Sequence, residues 1–154
     1  MNSFSKYLFP ENIFLNLRSS NRVDAFAQIA AALERQHQIG RSLIYDGLNQ
    51  REQLGSTGLG KGVAIPHAQI NGLRHPIAAF ARLNNPISFD APDEIPVSEM
   101  FIFLVPHNAT IEHLQMLADV TEMLCDNRFR EQLRNVNEPR AVQQLFENWI
   151  GALR

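Results

Sequence analysis

Cysteine is nearly missing from this sequence. Cys125 is the only one among 154 residues, so no intrachain disulfide can form and a cysteine-built zinc site is excluded. A reducing compartment suits such a chain. Long hydrophobic runs are also missing. The longest, MFIFLVP at 100–106, falls far short of the ~18 apolar residues that suggest a membrane span, so no membrane insertion is expected. The opening MNSFSKYLFPEN lacks the apolar centre of a signal peptide, and the expected location is cytoplasmic. Nor is there an excess of positive charge: 14 Lys and Arg face 16 Asp and Glu, for a formal charge of −2. Nucleic-acid binders ordinarily carry a basic excess or stripe, so no nucleic-acid partner is expected. The local cluster Arg128, Arg130 and Arg134 reads as a solvated helix face.

What is present is a globular mixture, 45% hydrophobic and 19% charged. A chain of this length can bury roughly 70% of its unfolded surface in one core. No internal repeat or low-complexity linker divides it, so residues 1–154 are expected to form one domain. A short strand is expected at 13–17. Asn21 then caps a helix in which Val23, Phe26, Ala27, Ala30 and Leu33 recur at helical spacing, with Gly40 as its stop. A second helix is expected with Ser42 as cap and Ile44, Leu48 and Leu54 inward. GSTGLGKG follows, too glycine-rich for regular structure. Strands are expected at 63–65, 77–83 and 100–105, the last apolar on both faces as interior strands are; 84–97 reads as a loop or short ribbon. A helix should start near Thr110 with Leu114, Leu117, Ala118, Thr121 and Leu124 on its buried side, followed by helices at about 127–134 and 139–150. This mixture predicts an α/β sandwich with helices on both faces of a buried sheet.

Residues 55–61 spell G-x-x-x-x-G-K, the first seven positions of a P-loop. The eighth, whose hydroxyl must bind magnesium, is Gly62 rather than Ser or Thr. The context also runs the wrong way, from a helix into a strand. A nucleotide site is therefore not expected. What the glycines do allow is close approach of backbone amides to an anion or to a partner's backbone, or a tight connection with positive φ.

Of the five histidines, His37 suits a helix end and His75 a turn. His107 lies in a loop and receives no role. His67 differs: it follows Ile65-Pro66 at the carboxyl end of a predicted strand, where ligands gather in α/β sheets, and Pro66 restricts the backbone beside it. His113 falls in the first turn of the helix near Thr110, among unpaired N–H groups and the positive end of the helix dipole. If the two preceding strands are parallel neighbours, the two imidazoles can meet. Such a pair suits either metal binding or phosphoryl chemistry, but no HExxH or paired-histidine pattern supports a metal.

The stretch GSTGLGKGVAIPHA resembles the signature of the type-2 (fructose/mannitol) enzyme IIA domains of the bacterial phosphotransferase system, and most nearly its nitrogen-regulatory branch. The resemblance extends through NNPISFDAPDEIPV, EMFIFLVP and ATIEHLQMLADVTEML, almost the full chain. It implies a mixed sheet between helices and a phosphorylated histidine at His67 (Nε2). It also implies a second active-site histidine at His113 and an arginine at Arg51 of the R-E-x-L pattern. No cofactor and no metal are implied. The phosphoryl donor would be a small HPr-like carrier, and the regulated targets would include potassium-transport or sensor-kinase proteins.

Transfer between imidazoles of similar leaving ability needs mainly positioning and charge stabilisation. His67 should be neutral at the attacking nitrogen, with its other nitrogen tied to a carbonyl or carboxylate. Ser56, Thr57, Gly58 and Gly60 are candidate further phosphate donors, and Leu59, Val63 and Ile65 a candidate apolar docking patch. Three other readings compete. One is a sugar-transport IIA passing phosphate to a IIB domain, against which the lack of a IIB or IIC segment in this chain weighs. The others are a binding module switched by the charge on His67, and a metal-dependent hydrolase using His67 and His113.

Overall fold

Val97–Pro106, apolar almost throughout, becomes the central strand of the sheet. The computed structural model describes residues 4–149, and within them six strands and five α-helices follow a short 3-10 turn, Ser5–Tyr7. The strands are β1 (Leu8–Leu17), β2 (Gly58–Gly60), β3 (Val63–Ala64), β4 (His67–Ile70), β5 (Ile77–Ile87) and β6 (Val97–Pro106). The helices are α1 (Arg22–His37), α2 (Arg41–Gln53), α3 (Ile111–Leu124), α4 (Asn127–Arg134) and α5 (Pro139–Asn148). The expected end of the last helix at Ile150 lies outside the described residues.

The sheet is mixed, in the order β1-β5-β6-β3-β2, with β4 also paired to β6. β6 runs antiparallel to β5 and parallel to both β3 and β4. Successive side chains on β5 and β6 alternate between two cores, as the twofold strand period requires. Ala79, Ala81, Ile102 and Leu104 pack with Phe26, Ile29, Leu33, Ile44 and Leu48 of α1 and α2. Ala78, Phe80, Phe101 and Phe103 pack with Met116, Val120, Phe129 and Phe146 of the last three helices. Helices therefore cover both faces, as the element pattern predicted. Phe146 centres the second core, with ring centroids 5.0 Å from Phe129, 5.2 Å from Phe101 and 5.9 Å from Phe80.

Several local expectations are corrected. Asn21 does cap α1, accepting from the Asp24 N–H at 2.8 Å, but Val23 and Ala27 face solvent while Ala25 and Ile29 are buried. The helix ends through Gln38 in the left-handed region (φ 57°), not at Gly40. Gly40 instead precedes α2 as its N-cap, displacing Ser42. Leu54 is not inward: it is 85% exposed. On α3 the buried stripe is Met116, Val120, Met123 and Leu124, so Leu114 and Ala118 turn outward. The glycine segment is partly regular after all, with β2 and β3 forming an antiparallel pair. Arg130 is buried and donates to the Leu124 carbonyl at 3.0 Å, so that cluster is not simply a solvated face. Glu99, 2% exposed, receives Arg82 at 3.3 Å and Arg134 at 3.8 Å, which ties α4 to β6.

Candidate functional site

β3 and β4 lie in one continuous register against β6, Val63 opposite Glu99 and His67 opposite Phe103. Ile65-Pro66 interrupts them. Pro66 has no N–H to offer, yet its carbonyl still accepts from Phe103 N–H at 2.9 Å. The break thus occurs without detaching the strand from the sheet. His67 opens β4 rather than closing a strand, a correction to the expected strand tip. Its imidazole Nδ1–H donates to the Ile65 carbonyl at 2.8 Å. Because that partner only accepts, the neutral ring carries its proton on Nδ1 and its lone pair on Nε2. Arg51 Nε–H donates to that Nε2 at 3.2 Å. Burial is the main cause that holds the imidazole below the ordinary histidine value. The Ile65 bond opposes it, the Arg51 charge adds to the lowering and Glu52 opposes it again.

Arg51 sits in the last turn of α2, which packs against β4. A Cβ on Gly47 would come within 2.8 Å of Ile70 Cδ1 and 3.4 Å of Ala68 Cβ, so glycine here lets the helix lie close to β4 with the Ile70 side chain undisturbed. Arg51 is braced by a second bond, Nη1–H to the Gly55 carbonyl at 2.8 Å. His113 arrives from the other direction. β6 ends at Pro106 and α3 folds back over the sheet, so its first turn stands above Phe103 and Val105. Thr110 and His113 form a reciprocal cap: the His113 N–H donates to Thr110 Oγ1 at 3.3 Å, and the Thr110 N–H donates to His113 Nδ1 at 3.2 Å. This sets the opposite tautomer to that of His67. A neutral His113 with Nδ1 accepting must carry its proton on Nε2.

All three side chains line one open cleft of about 490 Å³, together with Gln50, Leu54, Gln69, Phe103, Ala109 and Leu114. Of these, Leu54 and Leu114 are 85% and 62% exposed, an apolar rim, and Ile111, 85% exposed, opens the helix that carries Leu114. The docking patch expected at Leu59, Val63 and Ile65 is not there. Val63 and Ile65 belong to the core at 1% and 4% exposure, and Leu59 packs against it.

The glycine segment contributes differently from expectation. The Ser56 hydroxyl donates to the Phe89 carbonyl at 2.5 Å and accepts from Gly58 N–H at 3.0 Å. Thr57 gives both its N–H and its hydroxyl to the Glu52 carboxylate, each at 2.7 Å. Gly58 abuts Ala91, where a Cβ would come within 2.8 Å, and Gly60 faces Asp93. Ser56, Thr57, Gly58 and Gly60 thus seat the loop against Phe89, Glu52, Ala91 and Asp93, and none of them lines the cleft. Sequence reasoning missed Glu52, a buried carboxylate next to Arg51; the signal available was its place in the R-E-x-L pattern. Among the other histidines, His37 donates to Asn12 Oδ1 at 3.1 Å from the end of α1, while His75 and His107 are exposed. No group of three or more His, Cys, Asp or Glu side chains among the described residues is arranged to hold a metal ion. No helix among them is long and apolar enough to cross a membrane.

Residues 6–149 match the family model for the phosphoenolpyruvate-dependent sugar phosphotransferase system, EIIA 2. The chain belongs to this family. It is 37% identical over 139 residues to a nitrogen regulatory protein of Pseudomonas aeruginosa, with 90% of each chain covered. Its structure is similar to nitrogen regulatory protein IIA-Ntr from Neisseria meningitidis, with a TM-score of 0.88 and 37% identity over 93% of this chain and 98% of that one. A fructose-specific EIIA component from Haloferax volcanii is 36% identical over 106 residues, 69% of each chain. The resemblance carried by GSTGLGKGVAIPHA is borne out, and so is the mixed sheet between two helical layers. The chain is a phosphotransferase-system component of the EIIA type, similar to the nitrogen-regulatory branch.

Proposed function

We propose that His67 carries a phosphoryl group on Nε2, accepted from the phosphohistidine of a small HPr-like carrier, and that the phosphorylated and free forms bind regulatory targets differently. One observation carries this reading: the Ile65 carbonyl holds the proton on Nδ1, which puts the lone pair on Nε2, at the cleft, where it accepts Arg51 Nε–H until the bond to phosphorus takes that place. In the transfer the bond from phosphorus to the donor's ring nitrogen breaks as the bond to His67 Nε2 forms. The Nδ1 proton stays in place. The ring gains positive charge as the donor's ring loses it, so little driving force is needed. Arg51 supplies a permanent charge and a planar donor fork for phosphoryl oxygens. His113 offers a neutral Nε2–H from a helix N-terminus, a position suited to developing negative charge.

Phosphorylation adds about −1.5 to −2 charges at the rim of an apolar surface, enough to change which partner docks there. By similarity to the nitrogen-regulatory relatives, the targets include potassium-transport or sensor-kinase proteins, and the compartment is the cytoplasm. Incubation with phosphoenolpyruvate, enzyme I and the carrier should label the protein with acid-labile phosphate, and His67→Ala should remain unlabelled. Label retained in folded His67→Ala refutes the assignment. The identity to a fructose-specific component favours one second reading, onward transfer to a IIB domain. Chase of labelled protein with purified IIB separates the two: rapid loss of label supports sugar transport, and persistence supports regulation.

A further inference from the structure

We infer that Glu52 is a positioning residue for His67, acting through Thr57 and Ile65 in a hydrogen-bonded ring that starts and ends on one turn of α2. The inference rests on the proposed phosphoryl role of His67 Nε2. From Glu52 the ring runs through Thr57, whose N–H and hydroxyl both donate to the carboxylate at 2.7 Å. The Thr57 carbonyl accepts the Ile65 N–H at 3.0 Å. The Ile65 carbonyl accepts His67 Nδ1–H at 2.8 Å, and His67 Nε2 accepts Arg51 Nε–H at 3.2 Å. Arg51 and Glu52 are consecutive, so the ring closes through the chain itself.

A single helical turn therefore governs both nitrogens of the reacting imidazole, one directly and one through two residues. The weak point of the site is the Ile65 carbonyl, which shares with Arg51 the selection of the tautomer and makes the shorter of the two contacts, 2.8 against 3.2 Å. Pro66 restricts Ile65 from one side. The Thr57 bond restrains it from the other, and that bond is only as firm as Thr57 itself. Glu52 and Thr57 are 5% and 4% exposed. Bonds to a buried ionised acceptor are stronger than neutral ones, and removing the acceptor strands buried donors. Truncating Glu52 thus loosens Thr57, then Ile65, then the Nδ1–H contact. The carboxylate also acts through space, since its charge favours positive charge on the His67 ring, which is the charge that grows when the Nε2–P bond forms.

The alternative is that Glu52 merely anchors the loop after α2. Ring-nitrogen NMR shifts of His67 in unphosphorylated protein at neutral pH distinguish the two, because loop anchoring alone changes melting temperature and not tautomer. Wild type and Thr57→Ser, which keeps both donors, should show the Nδ1–H form. Glu52→Ala should show a tautomer mixture together with a roughly 10–100-fold slower single-turnover transfer from the carrier, as small misplacements of a reacting group produce. Glu52→Gln keeps the shape and guards against misfolding, and it should shift in the same direction by less. A folded Glu52→Ala or Glu52→Gln variant with wild-type tautomer and rate overturns the inference. The NMR readout needs no phosphoryl donor, so it stands apart from the function itself, which fails only if His67→Ala still takes up label.

Discussion

Leu54 offers a direct test of where the phosphoryl donor docks. Helical periodicity assigns it to the core, yet it is 85% exposed in the lining of the cleft, which also includes Leu114 at 62%, while Ile111 at 85% lies three residues before Leu114 on α3. Fully burying a leucine side chain is worth about 1.5–3 kcal/mol. Alanine keeps a minor share of that surface, so Leu54→Ala should forfeit about 1–2 kcal/mol of docking energy if the carrier covers it. That converts to a rise of about 5–30-fold in the KM for phosphorylated carrier. The chemical step is untouched because Leu54 contacts no reacting atom, so kcat should hold. Stability should hold as well, since exposed substitutions usually stay within about 0.5 kcal/mol. Initial rates of labelled-phosphate transfer, measured against carrier concentration, separate KM from kcat. An unchanged KM in both Leu54→Ala and the triple variant Leu54→Ala/Ile111→Ala/Leu114→Ala would refute the reasoning and move the docking surface elsewhere.

Three further outcomes are expected. His113→Ala should slow single-turnover transfer by roughly 10²–10³-fold, the usual cost of one charge-stabilising donor; an unaltered rate removes His113 from the site. His67 should titrate below the ordinary histidine value of about 6.5, because burial disfavours its protonated form. Its neutral, attacking form then persists as pH falls through that value and is lost only below it. An NMR midpoint at or above 6.5 contradicts this. Phe146→Ala should destabilise the fold by about 3–5 kcal/mol through the cavity left among Phe4, Phe80, Phe101 and Phe129, read by denaturant unfolding, and a loss under 1 kcal/mol would argue against tight packing there.

The reactive histidine was legible early. An imidazole after Ile65-Pro66, past a glycine segment, stands out because proline restricts the backbone that aims it. His113 was legible through its place after Thr110, where a helix start leaves N–H groups unpaired. The glycine segment misled in two ways. Its hydroxyls and amides looked available for phosphate, but Glu52, Phe89 and Asp93 engage several of them, and those partners come from outside the segment. Its high glycine content also disguised the β2–β3 pair, in which Gly58 lies against Ala91 because a Cβ there has no room.

Local spacing and residue chemistry determined most of the helical and strand segments, the sheet covered by helices on both faces, and His67 and His113 as a candidate pair, while Arg51 entered only through the resemblance to the family's R-E-x-L pattern. The segments and the two histidines follow from periodicity, proline and glycine geometry, and the chemistry of imidazole, all of which act over a few residues. Tertiary structure alone decided which sides of α2 and α3 face water, because a helix's buried stripe depends on what packs against it. It also brought Arg51 from α2 onto His67 Nε2, a contact that exists only once the chain has folded, whereas Ile65 and Thr110, which bond the Nδ1 atoms of His67 and His113, are near neighbours in sequence.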